Sequence, residues 1–103
     1  MSTEKNKQFA TNALHAGHDP KLTGGTRAVP IYQSTAYVFD SAEHAANLFS
    51  LAEPGNIYTR INNPTTDILE QRLAALEGGI ASVVTASGTA AIATSLLVLL
   101  KAG

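Results

Sequence analysis

The sequence contains 103 residues, of which 45% are hydrophobic and 15% are charged, and its net charge at pH 7 is −1. This composition excludes an intrinsically disordered chain, and the absence of cysteine excludes a small scaffold held together by disulfides. Seven basic residues are balanced by eight acidic ones, so we expect no nucleic-acid partner. The polar N-terminus lacks the apolar segment of a secretory signal, which together with the absence of cysteine favours a cytoplasmic location.

The first 63 residues are predicted to form an irregular arm with short helices. One helix is expected near Gln8–His15, after which glycines and prolines interrupt any regular period. A second helix is expected over Ala42–Leu51, with Asp40 or Ser41 as the residue that caps its N-terminus.

Two short segments of the arm, Ala36–Phe39 and Ile57–Arg60, are predicted to be extended. In an extended segment Tyr58 and Arg60 point to the same side, and a phenol beside a guanidinium suits the binding of a phosphate or carboxylate. A solvated arginine beside a half-buried tyrosine is the plainer interpretation, and the residues alone favour it.

The clearest predicted helix begins at Asn63-Pro64 and ends before Gly78. Asparagine is a favourable N-cap and proline suits the first helical position, while leucines recur at helical spacing along the segment.

The residues after this helix predict a strand, a turn and another helix. Ile80–Thr85 has too little polarity to face water and is predicted to be the central strand of a parallel sheet, with neighbours at both edges. The next helix, Gly88–Leu100, is apolar nearly all round and is expected to be buried, with Lys101 in its last turn and Gly103 as its C-cap. The predicted fold class is α/β, and because one strand makes no sheet we expect the front part of a larger protein.

The sequence predicts no membrane span, no metal site and no catalytic nucleophile. Residues 78–100 carry no charge, but serines and threonines interrupt the run, so we predict no membrane span. His15, His18 and Asp19 lie in a loop without the further ligands that a closed metal site needs, so no metal is predicted. No cysteine or Gly-x-Ser-x-Gly motif is present, and the lysines occupy polar segments or a helix end, so no catalytic nucleophile is predicted.

The turn formed by Ser87, Gly88 and Thr89 has the composition of an anion-binding site. Gly88 allows a ligand to approach the backbone, the first N–H groups of a helix point outward, and the two flanking side chains add hydroxyl groups. Phosphate is the anion that we expect here. Small residues at a helix start are also common in ordinary packing, so both interpretations stay open for this feature alone.

Several short motifs follow one another in a characteristic order: His15–Gly17, Thr23–Gly25, Pro30–Thr35, Gly55–Thr66, Leu76–Gly79 and Ser87–Ala91. This order resembles the N-terminal region of the Cys/Met-metabolism enzymes that depend on pyridoxal 5'-phosphate (PLP), and the resemblance runs from about residue 9 to residue 103. An insertion over residues 45–51 favours the sulfhydrylase branch of that family.

The resemblance implies a fold, a cofactor and a role for each candidate residue. It implies that residues 1–63 are an arm that contacts a partner subunit, and that residues 64–103 begin a PLP-binding large domain like that of aspartate aminotransferase. The backbone N–H groups of Gly88 and Thr89, with Ser87 beside them, would bind the PLP phosphate. Thr89 stands where many relatives have methionine, which should matter little if the contact is made through the backbone.

For the arm, the resemblance implies a role across a dimer interface in a homo-oligomer. Tyr58 and Arg60 would reach the phosphate of the partner subunit's PLP, and the Tyr58 phenol would also lie near the reacting amino group as an auxiliary catalytic residue. The Schiff-base lysine and the other main catalytic residues would lie beyond Gly103, so we expect this chain alone to be inactive.

The activity implied for the whole protein is replacement of the acetate group of O-acetylhomoserine by sulfide or a thiol, giving homocysteine or methionine. Three alternatives stay open. One is another family activity, that of a cystathionine γ-synthase or a methionine γ-lyase. The others are a non-catalytic phosphate-binding or interaction module, and a truncated product without function.

Overall fold

The computed structural model describes residues 9–103, which form four α-helices and one short 3-10 helix. The α-helices are α1 (Phe9–His15), α2 (Ala42–Phe49), α3 (Pro64–Glu77) and α4 (Gly88–Leu99), and the 3-10 helix spans Pro20–Thr23. The four predicted helices are confirmed to within about two residues at their ends. Gln8, the predicted start of the first, lies outside the described residues.

Three of the helices begin in the same way, on a polar residue with extended backbone that accepts a hydrogen bond from the first turn. Ser41 accepts from the N–H of His44 before α2, Asn63 accepts from Thr65 before α3, and Ser87 accepts from Ala90 before α4. Each side chain satisfies one of the N–H groups that a helix start leaves unpaired. Of the two caps predicted for α2, Ser41 is therefore the one used.

The prediction of a strand over Ile80–Thr85 is wrong, because residues 9–103 contain no strand. A strand requires a neighbour, and within this range the β pairing consists of one isolated antiparallel bridge between Ala36 and Tyr58. The segment lies on α3 instead. The Glu70 carboxylate accepts the Val84 N–H at 3.0 Å, and the Glu70 carbonyl accepts the Ser82 hydroxyl at 2.6 Å.

The end of α4 also differs from the prediction. The helix ends at Leu99 with Leu100 as its C-cap, so Lys101 lies outside the last turn and Gly103 caps nothing. Its expected burial is not seen, since none of its residues is buried and Leu97 is 78% exposed. None of the helices described between residues 9 and 103 is long and apolar enough to cross a membrane.

The first part of the arm lies against α3. Arg72 of α3 donates from Nε to the carbonyl oxygen of Ala16 at 2.9 Å. Gly17 follows with a φ of +78°, and a Cβ at this position would lie 2.8 Å from the carbonyl oxygen of Ile68. Glycine is needed here both for its backbone conformation and because the arm approaches the α3 backbone so closely.

A leucine occupies the left-handed position that ends α2. Leu51 has a φ of 61°, and its N–H bonds to the Leu48 carbonyl at 3.2 Å, while the N–H of Ala52 bonds to the Asn47 carbonyl at 2.9 Å. These two bonds define a Schellman motif, in which this position usually holds glycine.

Replacing Leu51 by glycine should therefore stabilise the protein by about 1 kcal/mol, because the left-handed strain is relieved and the side chain is 86% exposed. The measurement is the thermal unfolding midpoint of the intact protein. Leu51→Ala is the matched control, since alanine keeps the Cβ that causes the strain. Equal midpoints for the glycine and alanine variants would contradict the prediction.

Candidate functional site

The turn of Ser87, Gly88 and Thr89 leaves two backbone donors open at the start of α4. The Ser87 hydroxyl oxygen accepts the Ala90 N–H at 3.1 Å, and the Ser87 carbonyl accepts the Ala91 N–H at 3.1 Å. The N–H groups of Gly88 and Thr89 have no hydrogen-bond partner among residues 9–103. Both lie at the positive end of the dipole of a 12-residue helix, which is the arrangement that binds anions.

The turn is open on the side where a side chain on Gly88 would lie. A Cβ placed on Gly88 would meet no atom within 4 Å. The Ser87 oxygen accepts a hydrogen bond from Ala90, and the proton of this hydroxyl can be donated to an anion. The turn therefore presents two N–H donors, with up to two hydroxyl donors beside them, and places no acidic group among them.

Tyr58 and Arg60 lie side by side, although the backbone that brings them together differs from the prediction. The N–H groups of Ile61 and Asn62 both bond to the Tyr58 carbonyl, at 2.8 and 3.0 Å, so the chain turns after Tyr58 instead of running extended. The Arg60 Cζ atom lies 5.6 Å from the centroid of the Tyr58 ring. This contact is a cation–π interaction, which orients the guanidinium on the ring.

This Tyr58–Arg60 pair borders a cavity of about 310 Å³. Its lining combines aromatic and aliphatic side chains from the arm with the pair itself: Ala36, Tyr37, Phe39, Phe49, Ile57, Tyr58, Arg60 and Ile61. Within residues 9–103, Arg60 forms no salt bridge with a carboxylate. Its positive charge is therefore not neutralised within the described chain and is available to an anion.

The two candidate sites are separate. Between residues 9 and 103, no hydrogen bond joins Tyr58 or Arg60 to the 87–89 turn, and the turn does not line the 310 Å³ cavity. The described residues therefore carry two separate candidate sites for an anion.

The histidines form no metal centre in the described residues, where no group of three or more His, Cys, Asp or Glu side chains could hold an ion. His15, His18 and Asp19 line an open cavity of about 1180 Å³, in which the His18 Nε2 atom bonds to the Thr23 hydroxyl at 2.9 Å. His44 is half-buried, and its Nδ1 atom accepts the Asp40 N–H at 3.1 Å.

Comparison with known proteins identifies the family. Residues 10–103 match the family described as Cys/Met metabolism PLP-dependent enzyme. An O-acetyl-L-homoserine sulfhydrylase from Leptospira meyeri is 55% identical over 99% of this chain, and O-acetyl-L-homoserine sulfhydrylase 1 from Thermus thermophilus is 60% identical over 93%. An L-methionine gamma-lyase from Fusobacterium nucleatum is 50% identical over all 103 residues and is covered to 26% of its own length.

A solved structure is similar over the same region. It is that of a candidate O-acetylhomoserine (thiol)-lyase from Campylobacter jejuni, which contains N'-pyridoxyl-lysine-5'-monophosphate. The TM-score is 0.84 at 47% identity, over 89% of this chain and 23% of that one. This match confirms the predicted fold class, an incomplete part of a PLP-dependent transferase fold, although no strand forms within residues 9–103.

The chain spans 23% of the length of each of the two sulfhydrylases. The family match covers nearly all of the chain, so the resemblance drawn from its motifs is confirmed. The chain belongs to the Cys/Met metabolism family of PLP-dependent enzymes.

Proposed function

We propose that the chain is the N-terminal part of a PLP-dependent enzyme that replaces the acetate group of O-acetylhomoserine by sulfide or a thiol, giving homocysteine or methionine. The two relatives named as sulfhydrylases, 55% and 60% identical to this chain, support this reaction. In this proposal residues 1–63 form an arm and residues 64–103 begin the large domain of a cytoplasmic homo-oligomer. Residues 1–103 alone would be inactive.

One observation carries the assignment of the cofactor site: the open N–H groups of Gly88 and Thr89 at the start of α4. These donors fit the phosphate group of PLP, because they have no partner among residues 9–103, lie at the positive end of the helix and have no carboxylate beside them in the turn. In our proposal both N–H groups and the Ser87 hydroxyl bind that phosphate. When bound, PLP supplies an electron sink that stabilises negative charge on the carbon atoms of the substrate.

We propose that the Tyr58–Arg60 pair binds the phosphate of the partner subunit's PLP. The support is that Arg60 forms no salt bridge within the described residues and that the pair lies apart from the 87–89 turn. A guanidinium and a phenol both donate hydrogen bonds to phosphate oxygens, and those bonds are charge-assisted. The Tyr58 hydroxyl would also lie near the reacting amino group, where it can accept or donate one proton.

The proposed reaction is tested with the intact protein, PLP, O-acetylhomoserine and sulfide. We expect acetate and homocysteine to be released in equal amounts, and little acetate to be released when sulfide is omitted. If the PLP-loaded protein released no acetate with sulfide or with methanethiol, the substrate assignment would be wrong.

A γ-lyase is the second candidate, because the gamma-lyase relative is 50% identical over the whole chain, a value close to those of the sulfhydrylases. A lyase acting on O-acetylhomoserine would consume water and release acetate, ammonia and 2-oxobutanoate without sulfide. A cystathionine γ-synthase would instead use cysteine in place of sulfide. Assays with sulfide, with cysteine and with neither therefore separate the three activities.

A further inference from the structure

We propose that Asn63 is a positioning residue for the Tyr58–Arg60 pair, in addition to its role as the N-cap of α3. The inference rests on the proposed function, in which this pair binds the phosphate of PLP. The hydrogen bonds of the Asn63 amide group go to Tyr32, Thr59 and Thr65 and not to the Tyr58 hydroxyl or the Arg60 guanidinium, so we infer that its effect on the pair is indirect.

Asn63 is 4% exposed and is the only buried polar residue among residues 9–103. Its Oδ1 atom accepts the Thr65 N–H at 2.9 Å, which is the bond that an N-cap makes. Its Nδ2 atom donates to the Tyr32 carbonyl at 2.8 Å and to the Thr59 hydroxyl at 3.2 Å. Because capping needs only the oxygen, the two bonds from nitrogen serve another purpose, and they join the start of α3 to two segments of the arm.

Thr59 transmits this connection to Arg60, the next residue. The Thr59 hydroxyl accepts from Asn63 and donates to the Ser34 carbonyl, and the Thr59 N–H bonds to the Thr35 carbonyl at 2.9 Å. Both the backbone and the side chain of Thr59 are thereby fixed.

The chain on the other side of Arg60 is fixed as well. Asn62 donates its N–H to the Tyr58 carbonyl at 3.0 Å, accepts the Ile57 N–H at 3.2 Å and donates from Nδ2 to the Gly55 carbonyl at 2.7 Å. Arg60 is thus held between two residues whose positions are set before any anion binds. Such pre-organisation increases affinity because less conformational freedom is lost on binding.

The substitution Asn63→Asp separates the two roles of this side chain. Aspartate has the same shape and is an equally good N-cap, so the bond to Thr65 and the start of α3 are retained. It lacks the Nδ2 donor, and its second oxygen would face the Tyr32 carbonyl oxygen. The variant therefore removes both bonds that Nδ2 donates, to Tyr32 and to Thr59, while it preserves the helix.

The experiment measures the dissociation constant of PLP from the intact protein in a double-mutant cycle of Asn63→Asp and Arg60→Ala. If Asn63 acts through Arg60, Asn63→Asp should weaken PLP binding about tenfold in the wild-type background and less than about twofold when Arg60 is alanine. The circular dichroism of bound PLP should change in the first background and not in the second.

Equal losses of affinity in both backgrounds would overturn the inference, because they would show a general structural effect. An unchanged affinity in Asn63→Asp beside a strong effect of Arg60→Ala would also overturn it, while leaving the proposed phosphate site intact. If Arg60→Ala itself left PLP binding unchanged, the assigned role of the pair would fail, and this inference would fail with it.

Thr59 supplies an independent pair of variants in case Asn63→Asp does not fold. Thr59→Ser keeps the hydroxyl and should bind PLP as the wild type does, whereas the isosteric Thr59→Val loses the bonds to Asn63 and Ser34. The valine variant should therefore show the same loss of about tenfold, again only when Arg60 is present. Equal affinities for the serine and valine variants would exclude Thr59 as the connecting residue and overturn the inference.

Discussion

Replacing Gly88 by proline should weaken PLP binding by about ten- to a hundredfold. Proline has no backbone N–H, so the variant removes one of the two open donors at the start of α4. A hydrogen bond to a charged group contributes about 1.5–3 kcal/mol, which corresponds to this range of affinities. The measurement is the titration of the intact apoprotein with PLP.

The fold should tolerate Gly88→Pro. Proline is favourable at the first position of a helix, and Ser87 before it has φ −157° and ψ 159°, the extended conformation that a residue before proline requires. The Cβ of the new proline has room, since a Cβ on Gly88 meets nothing within 4 Å.

Ala42→Pro is the matched control for this variant. Ala42 holds the same position in α2, and its cap Ser41 has φ −160° and ψ 168°. This control should bind PLP with the wild-type affinity, because Ala42 belongs neither to the 87–89 turn nor to the lining of the cavity beside the Tyr58–Arg60 pair. Wild-type affinity in Gly88→Pro as well would show that the Gly88 N–H does not bind the phosphate.

The largest loss of stability is expected for Gly17→Ala, at about 3 kcal/mol. The left-handed conformation of an alanine costs about 1–2 kcal/mol, and overpacking costs about 1–3 kcal/mol more. The overpacking arises because the new Cβ would lie 2.8 Å from the Ile68 carbonyl oxygen and 2.9 Å from the Gln71 Cβ, which belong to a helix that cannot easily yield. The first part of the arm should therefore separate from α3.

Hydrogen exchange at the amides of residues 13–16 measures this separation, and exchange should become about a hundredfold faster. Gly24→Ala is the matched control, since Gly24 also has a positive φ of +67° but a Cβ there meets no atom within 4 Å. The difference between the two variants isolates the packing contribution. If both accelerated exchange equally, the close approach to α3 would contribute nothing.

The helices could be predicted because their signals are local in sequence. Asn63, Pro64 and Gly78 bracket α3 within a few residues of its ends, and Ser41 and Ser87 cap the helices that follow them directly. The contacts that dock the arm join distant residues, such as Arg72 with Ala16, and no periodicity reveals them. The prediction of a strand over residues 80–85 is wrong for the same reason. Whether a strand forms depends on the distant segments that pair with it and not only on its own hydrophobicity.

The candidate site was predictable to a similar extent. The open N–H groups of the 87–89 turn follow from the position of Ser87 before a helix, which is a local property. The sequence predicts that Tyr58 and Arg60 lie close together, but it predicts an extended backbone where the structure has a turn. The side chain of Asn62 closes this turn by hydrogen bonds to Ile57 and Gly55. The two hydrogen bonds that the buried Asn63 side chain donates could not be predicted, because the sequence shows only an asparagine before a proline.

Both proposed anion-binding parts of the chain, the Tyr58–Arg60 pair and the 87–89 turn, are attached to α3. At the start of α3, Asn63 forms a hydrogen bond with Thr59, the residue before Arg60. Further along the helix, Glu70 accepts a hydrogen bond from Val84, in the segment that leads to Ser87. An α-helix rises 1.5 Å per residue, so these two attachment points lie about 10 Å apart along its axis. The number of residues between Asn63 and Glu70 therefore fixes the distance and the angle between the two attachment points. One inserted residue would rotate Glu70 by about 100° relative to Asn63.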